Sequence, residues 1–77
     1  MDINEFIGHF AEQFEETDVS VFNADTKYKE LDEWSSLVAL CIIAMIDEEY
    51  DVAIKGNDIN GSATIQDLFE IVKSRKK

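Results

Sequence analysis

Apolar residues recur at Ile3, Phe6, Ile7, Phe10 and Phe14. This spacing of i, i+3, i+4, i+7 and i+11 predicts an amphipathic helix over about 2–16, with Asp2 as a candidate N-cap. The period then lapses. From Thr17 to Trp34, polar breaks at Asp18, Ser20, Asn23, Asp25 and Thr26 separate scattered anchors at Val19, Val21, Phe22, Tyr28 and Leu31, which predicts a long loop. Loops of that length inside a compact domain are uncommon and often functional. Ten consecutive apolar residues, Leu37 to Ile46, follow Ser35-Ser36 and run into Asp47-Glu48-Glu49-Tyr50-Asp51. Ser35 or Ser36 caps a helix that reaches about Tyr50. Asp51-Val52-Ala53-Ile54 reads as extended, and Gly56 permits a turn. Residues 57–60 form one short helical turn, ended by Gly61. Thr64 with Asp67 resembles a capping box that opens a last helix with Ile65, Leu68, Phe69 and Val72 on one face. The expected architecture is an all-α, small four-helix bundle of three main helices and one short helix, in a single domain over 1–77. A long loop follows its first helix.

The second helix carries more apolar surface than one core can take. Ala39, Ile42, Ile43 and Ile46 make one stripe, and Leu37, Leu40, Cys41 and Ala44 make another. A helix apolar nearly all round needs either a large protein around it or a partner, and 77 residues cannot surround it. The second stripe therefore reads as an interaction surface, continued one turn further by Asp47 and Glu48. The alternatives are that the long loop folds back over Leu37 and Leu40, or that two chains pair there.

Charge sharpens this picture. Seventeen acids against seven bases give a net charge of −10, and Lys73, Arg75, Lys76 and Lys77 hold four of the seven. Such a field repels nucleic acid and anionic membranes, and it draws in proteins with basic patches. No stretch approaches the roughly 20 apolar residues needed to cross a bilayer, and Met1-Asp2-Ile3-Asn4-Glu5 lacks a basic leader. The single Cys41 forms no internal disulfide. A cytoplasmic monomer without membrane insertion is expected. Enzymatic chemistry is not: one histidine, His9, builds no Ser-His-Asp set, and Cys41 has no basic neighbour in its local sequence. Residues 51–62 place Gly56 where an EF-hand needs it, but Ala53, Lys55 and Ser62 occupy ligand positions, so no metal is expected.

Taken together, Ser35-Ser36-Leu37, the apolar helix, the acidic end Asp47-Glu48-Glu49-Tyr50-Asp51, Ile54, Asp58 and the helix start Thr64-Ile65-Gln66-Asp67-Leu68 resemble the acyl carrier protein family, the phosphopantetheine-binding carrier domains. The resemblance runs over essentially the whole chain. It implies that Ser36 accepts 4′-phosphopantetheine from coenzyme A and that acyl groups ride on the arm as thioesters. The partners implied are a phosphopantetheinyl transferase and acyl-transferring or synthase enzymes of fatty acid, polyketide or related biosynthesis, docking by basic patches on Leu37, Leu40, Cys41, Ala44, Asp47 and Glu48. Ser35 stands where the family pattern has aspartate, and Val38 and Cys41 stand where many members are acidic. Trp34 is expected to pack the loop against the helix. A non-catalytic interaction module of the same shape, lacking the arm, is the alternative.

Overall fold

The computed structural model describes residues 1–76. Helix α1 spans Ile3–Ala11, α2 Ser36–Tyr50, α3 Gly56–Asn60 and α4 Ile65–Arg75, and the described residues contain no strand. This is the expected all-helical bundle, three main helices and one short one, with the long connection after α1.

Helix α1 begins as its sequence dictates, with the Asp2 carboxylate accepting the Asn4 N–H at 3.0 Å. It stops at Ala11, about five residues before the expected Glu16. The cause is tertiary. The Glu33 carboxylate, at the far end of the long connection, accepts the backbone N–H groups of Glu15, Glu16 and Thr17 at 2.7, 3.0 and 2.9 Å. The Thr17 hydroxyl donates to it as well, at 2.8 Å. Those three amides would otherwise continue the helical ladder. Phe14 stays buried all the same, because its ring lies 4.9 Å from that of Phe22 and 5.6 Å from that of Phe10.

The connection is not slack. It holds two 3-10 turns, Val19–Val21 and Tyr28–Glu30. Its backbone also caps α4: the N–H of Ile65 donates to the Thr26 carbonyl at 3.2 Å and that of Gln66 to the Ala24 carbonyl at 2.9 Å. Two of the four amides that a helix start leaves unpaired are thereby satisfied. The Thr64 hydroxyl takes a third, from Asp67, and the Asp67 carboxylate returns the bond to the Thr64 N–H. That is the predicted capping box with aspartate in the usual glutamate place.

An aromatic seam fills the centre. Phe6 lies edge-on to Phe69 at 5.5 Å and 5.7 Å from Tyr50, and Phe10 meets Tyr28 at 5.1 Å. Ile42 and Ile46 from α2 and Ile65, Leu68 and Val72 from α4 close around it, all fully buried. Such aromatic pairs add about 0.5–1.5 kcal/mol each beyond the area they bury. The radius of gyration, 11.2 Å, matches the roughly 11.5 Å expected of a compact domain of this length.

Helix α2 ends on Asp51 in the left-handed conformation, φ 56°, which turns the chain into the extended Val52–Ile54 segment. Val52 and Ile54 point inward and Ala53 outward, the alternation of an extended strand of chain. The short helix α3 starts at Gly56, one residue earlier than expected, with the Asp58 carboxylate accepting the Lys55 N–H at 2.9 Å. Basic residues near the C-terminus tie the bundle shut. Arg75 donates both guanidinium nitrogens to Asp58 at 2.6 Å, and Lys76 donates to the Tyr50 carbonyl, at the end of α2, at 2.8 Å. No described helix is long and apolar enough to cross a membrane.

Candidate functional site

The two serines at the start of α2 have different jobs. Ser35 is the N-cap: its hydroxyl accepts the N–H of Val38 at 3.3 Å. Ser36 is the first helical residue, exposed, and its hydroxyl makes no hydrogen bond to any described residue. The N–H groups of Ser36 and Leu37 likewise find no partner among the described residues. A helix of 15 residues stands behind them, and no acidic side chain lies in its first turn. A free hydroxyl beside free amides at the positive end of a helix dipole is suited to carrying an anion.

Ser36 also lines a cleft of about 590 Å³, which lies within the range of small-molecule sites. Trp34, Ala39, Leu40, Ile43 and Ile59 give it an apolar lining. Lys29 and Asn60 form the polar part, and Lys29 Nζ donates to the carbonyls of Ile59 and Asn60 at 3.1 and 3.2 Å. This bridge joins the long connection to α3. It places an ammonium at the C-terminal carbonyls of α3, where Ile59 also accepts from Ser62, and a cation at that end of a helix is favoured.

Trp34 packs as expected, its ring 5.0 Å from Tyr28 and 6.3 Å from Phe14. It keeps one face on the cleft. Lys29, Ile59 and Asn60 were not singled out from the sequence as site residues. In the sequence Lys29 is marked only as one of two cations before residue 55, and no local signal links it to the carbonyls of Ile59 and Asn60.

The second apolar stripe is solvent-facing. Leu37 is 71% and Leu40 63% exposed, and Cys41, Ala44, Asp47 and Glu48 are exposed with them. The long connection therefore does not fold back over Leu37 and Leu40. On the inner side Ile42 and Ile46 are buried as expected, joined by Met45, while Ala39 and Ile43 are half-buried at the cleft. Val38 packs against the core and is not part of the outer face.

Of the upstream acids, Glu33 is occupied by the end of α1. The Thr17 hydroxyl and three backbone N–H groups hold its carboxyl below the usual glutamate range. Glu30 and Asp32 remain exposed beside the α2 start. At the other end of α2, burial pushes the Tyr50 phenol up to about 12, helped by the charges of Glu5, Glu49 and Asp2.

Compared with family models, with curated proteins and with solved structures, the chain matches none.

Proposed function

We propose that this chain is an acyl carrier protein: Ser36 takes a phosphopantetheine arm from coenzyme A, and acyl intermediates held on it as thioesters are presented to partner enzymes. The single observation behind this reading is the position of Ser36. It is an uncommitted, exposed hydroxyl at the first turn of α2 on the rim of an apolar cleft.

In the loading step the Ser36 oxygen bonds to the phosphorus at the pantetheine end of coenzyme A's pyrophosphate. The bond to the bridging oxygen breaks, adenosine bisphosphate leaves, and the hydroxyl proton passes to a base on the transferase. The amides of Ser36 and Leu37 and the α2 dipole stabilise the phosphodiester's negative charge. Ser35, by capping through Val38, keeps the first turn wound while Ser36 reacts. When bound, the arm supplies a thiol whose acyl thioester is the activated cargo, and tethering replaces free diffusion by a high local concentration. Trp34, Ala39, Leu40, Ile43 and Ile59 offer apolar shelter beside the attachment point. Leu37, Leu40, Cys41 and Ala44, with Asp47 and Glu48 beyond them, form a face for enzymes carrying a hydrophobic pocket rimmed by Arg or Lys.

Incubation with coenzyme A and a broad-specificity phosphopantetheinyl transferase is expected to add the mass of the arm once, and Ser36→Ala to abolish the gain. No gain, or gain retained in that variant, contradicts the assignment. The exposed Leu37–Leu40 face also suits a second reading, an interaction module of carrier shape without the arm. Partner capture that survives Ser36→Ala but not Leu40→Glu, in a chain that takes no arm, would favour it.

A further inference from the structure

We infer that Lys29 makes the cleft beside Ser36 selective for acyl groups that end in a carboxylate. The inference rests on the carrier reading of Ser36 and adds to it the class of cargo.

The cleft differs in charge from the rest of the molecule. The chain holds 17 acids, yet none of the residues lining this cleft is Asp or Glu, and Lys29 is the one charged side chain among them. Its ammonium is fixed by the carbonyls of Ile59 and Asn60, at 3.1 and 3.2 Å, which leaves the third of its N–H donors uncommitted. Lys29 is half-buried and forms no salt bridge among the described residues. In a chain of net charge −10, this cation lacks the partner that a partly desolvated charge needs. Asn60 brings a side-chain amide that makes no hydrogen bond to any described residue, a second donor for an anion.

The rest of the wall decides which kind of anion fits. Trp34, Ala39, Leu40, Ile43 and Ile59 offer apolar surface suited to a methylene chain. Ser36 and Ile43 are about two turns apart on α2, roughly 10 Å along its axis, so this surface runs on from the attachment point. A carboxylate at the free end of the chain pairs with Lys29 and accepts from Asn60, while the methylenes lie along the wall. A plain hydrocarbon chain gains the same wall but strips water from the ammonium without replacing it, which costs binding. A small inorganic anion gains the charge and none of the wall.

The test loads the full chain at Ser36 with arms carrying octanedioyl, its neutral methyl ester or octanoyl, each confirmed by mass. Neutral hydroxylamine then cleaves the thioester, and each rate is divided by that of the same acyl coenzyme A in solution, which removes differences in intrinsic reactivity. After this correction the octanedioyl thioester is expected to be cleaved about threefold to tenfold more slowly than the methyl ester. The backbone amides of Ile59 and Asn60 should shift in NMR spectra with the carboxylate cargo and not with the other two. Lys29→Gln removes the charge and keeps an amide donor for the two carbonyls, so it should bring octanedioyl to the level of the methyl ester. The wild-type comparison stands without the variant. Equal protection of the cargoes, weaker protection of octanedioyl, or a difference that survives Lys29→Gln overturns the inference. So do shifts at Ile59 and Asn60 that come with the bare arm and ignore the cargo, since they assign the ammonium to the phosphodiester. A chain that takes no arm sinks the carrier reading and the cargo class together, whereas one that loads and treats all cargoes alike sinks the cargo class alone.

Discussion

Replacing Tyr28 by phenylalanine removes one oxygen from the centre of the molecule and leaves the ring in place. The Tyr28 side chain is fully buried, and its hydroxyl shares a short hydrogen bond with Ser62, with the Ile59 carbonyl 3.5 Å away. Ser62 in turn donates to the Ile59 carbonyl at 3.1 Å. The pair joins the long connection to the segment after α3, beneath the Lys29 bridge that walls the cleft. In Tyr28→Phe, Ser62 keeps its bond to Ile59, so the loss is that of one hydrogen bond, about 1 kcal/mol. In Ser62→Ala the phenol is stranded in the core with only the long approach to Ile59, a cost of about 2 kcal/mol. The double variant should cost less than the two together by about 1 kcal/mol, because the stranded group is gone. For a domain this small about 1 kcal/mol is worth roughly 4–8 °C in Tm, against a total stability of about 4–11 kcal/mol. Thermal and urea unfolding of the four proteins measures the cycle. If Ser62→Ala costs no more than Tyr28→Phe, or the effects simply add, the pair does not hold the connection in place.

Glu33→Gln should lower Tm at neutral pH and flatten its fall in acid. The native carboxyl lies below its ordinary 4.5, so its contribution is complete above that value and lost as pH drops through the native value. A wild-type acid slope unchanged in the variant contradicts the clamp on residues 15–17. Asp51→Gly, at the one described non-glycine residue with positive φ, should raise stability by about 0.5 kcal/mol, read from the urea midpoint. A loss would mean that the aspartate side chain contributes more than its backbone strain removes. Asp58→Asn should cost a few degrees of Tm in low salt and less in high salt, since it halves a bidentate pair with the partly exposed Arg75. An equal loss at both salts contradicts an ion-pair origin.

Elements whose signal is local were readable from the chain. Asp2 and Thr64 cap where their sequence contexts place them, and the ten-residue apolar block forms the middle of α2. Its outer stripe could be recognised because 77 residues cannot bury both sides of such a helix. What could not be read was long-range. The early end of α1 depends on Glu33, sixteen to eighteen residues away. The choice of Ser35 over Ser36 as the cap turns on backbone geometry that either serine could supply. The inward packing of Val38 was not legible either, because a nearly all-apolar helix gives little amphipathic signal by which to fix its rotation; contacts with the core set it. The cleft beside Ser36 is walled in part by Lys29 and Ile59, which meet across about thirty residues.

The most direct measurement is site-localised mass spectrometry on the chain purified from its native cells. The carrier reading predicts a phosphopantetheine-derived mass on Ser36, with Ser35 unmodified and part of the population heavier by an acyl group. A native chain that is unmodified throughout, or modified at Ser35, contradicts it.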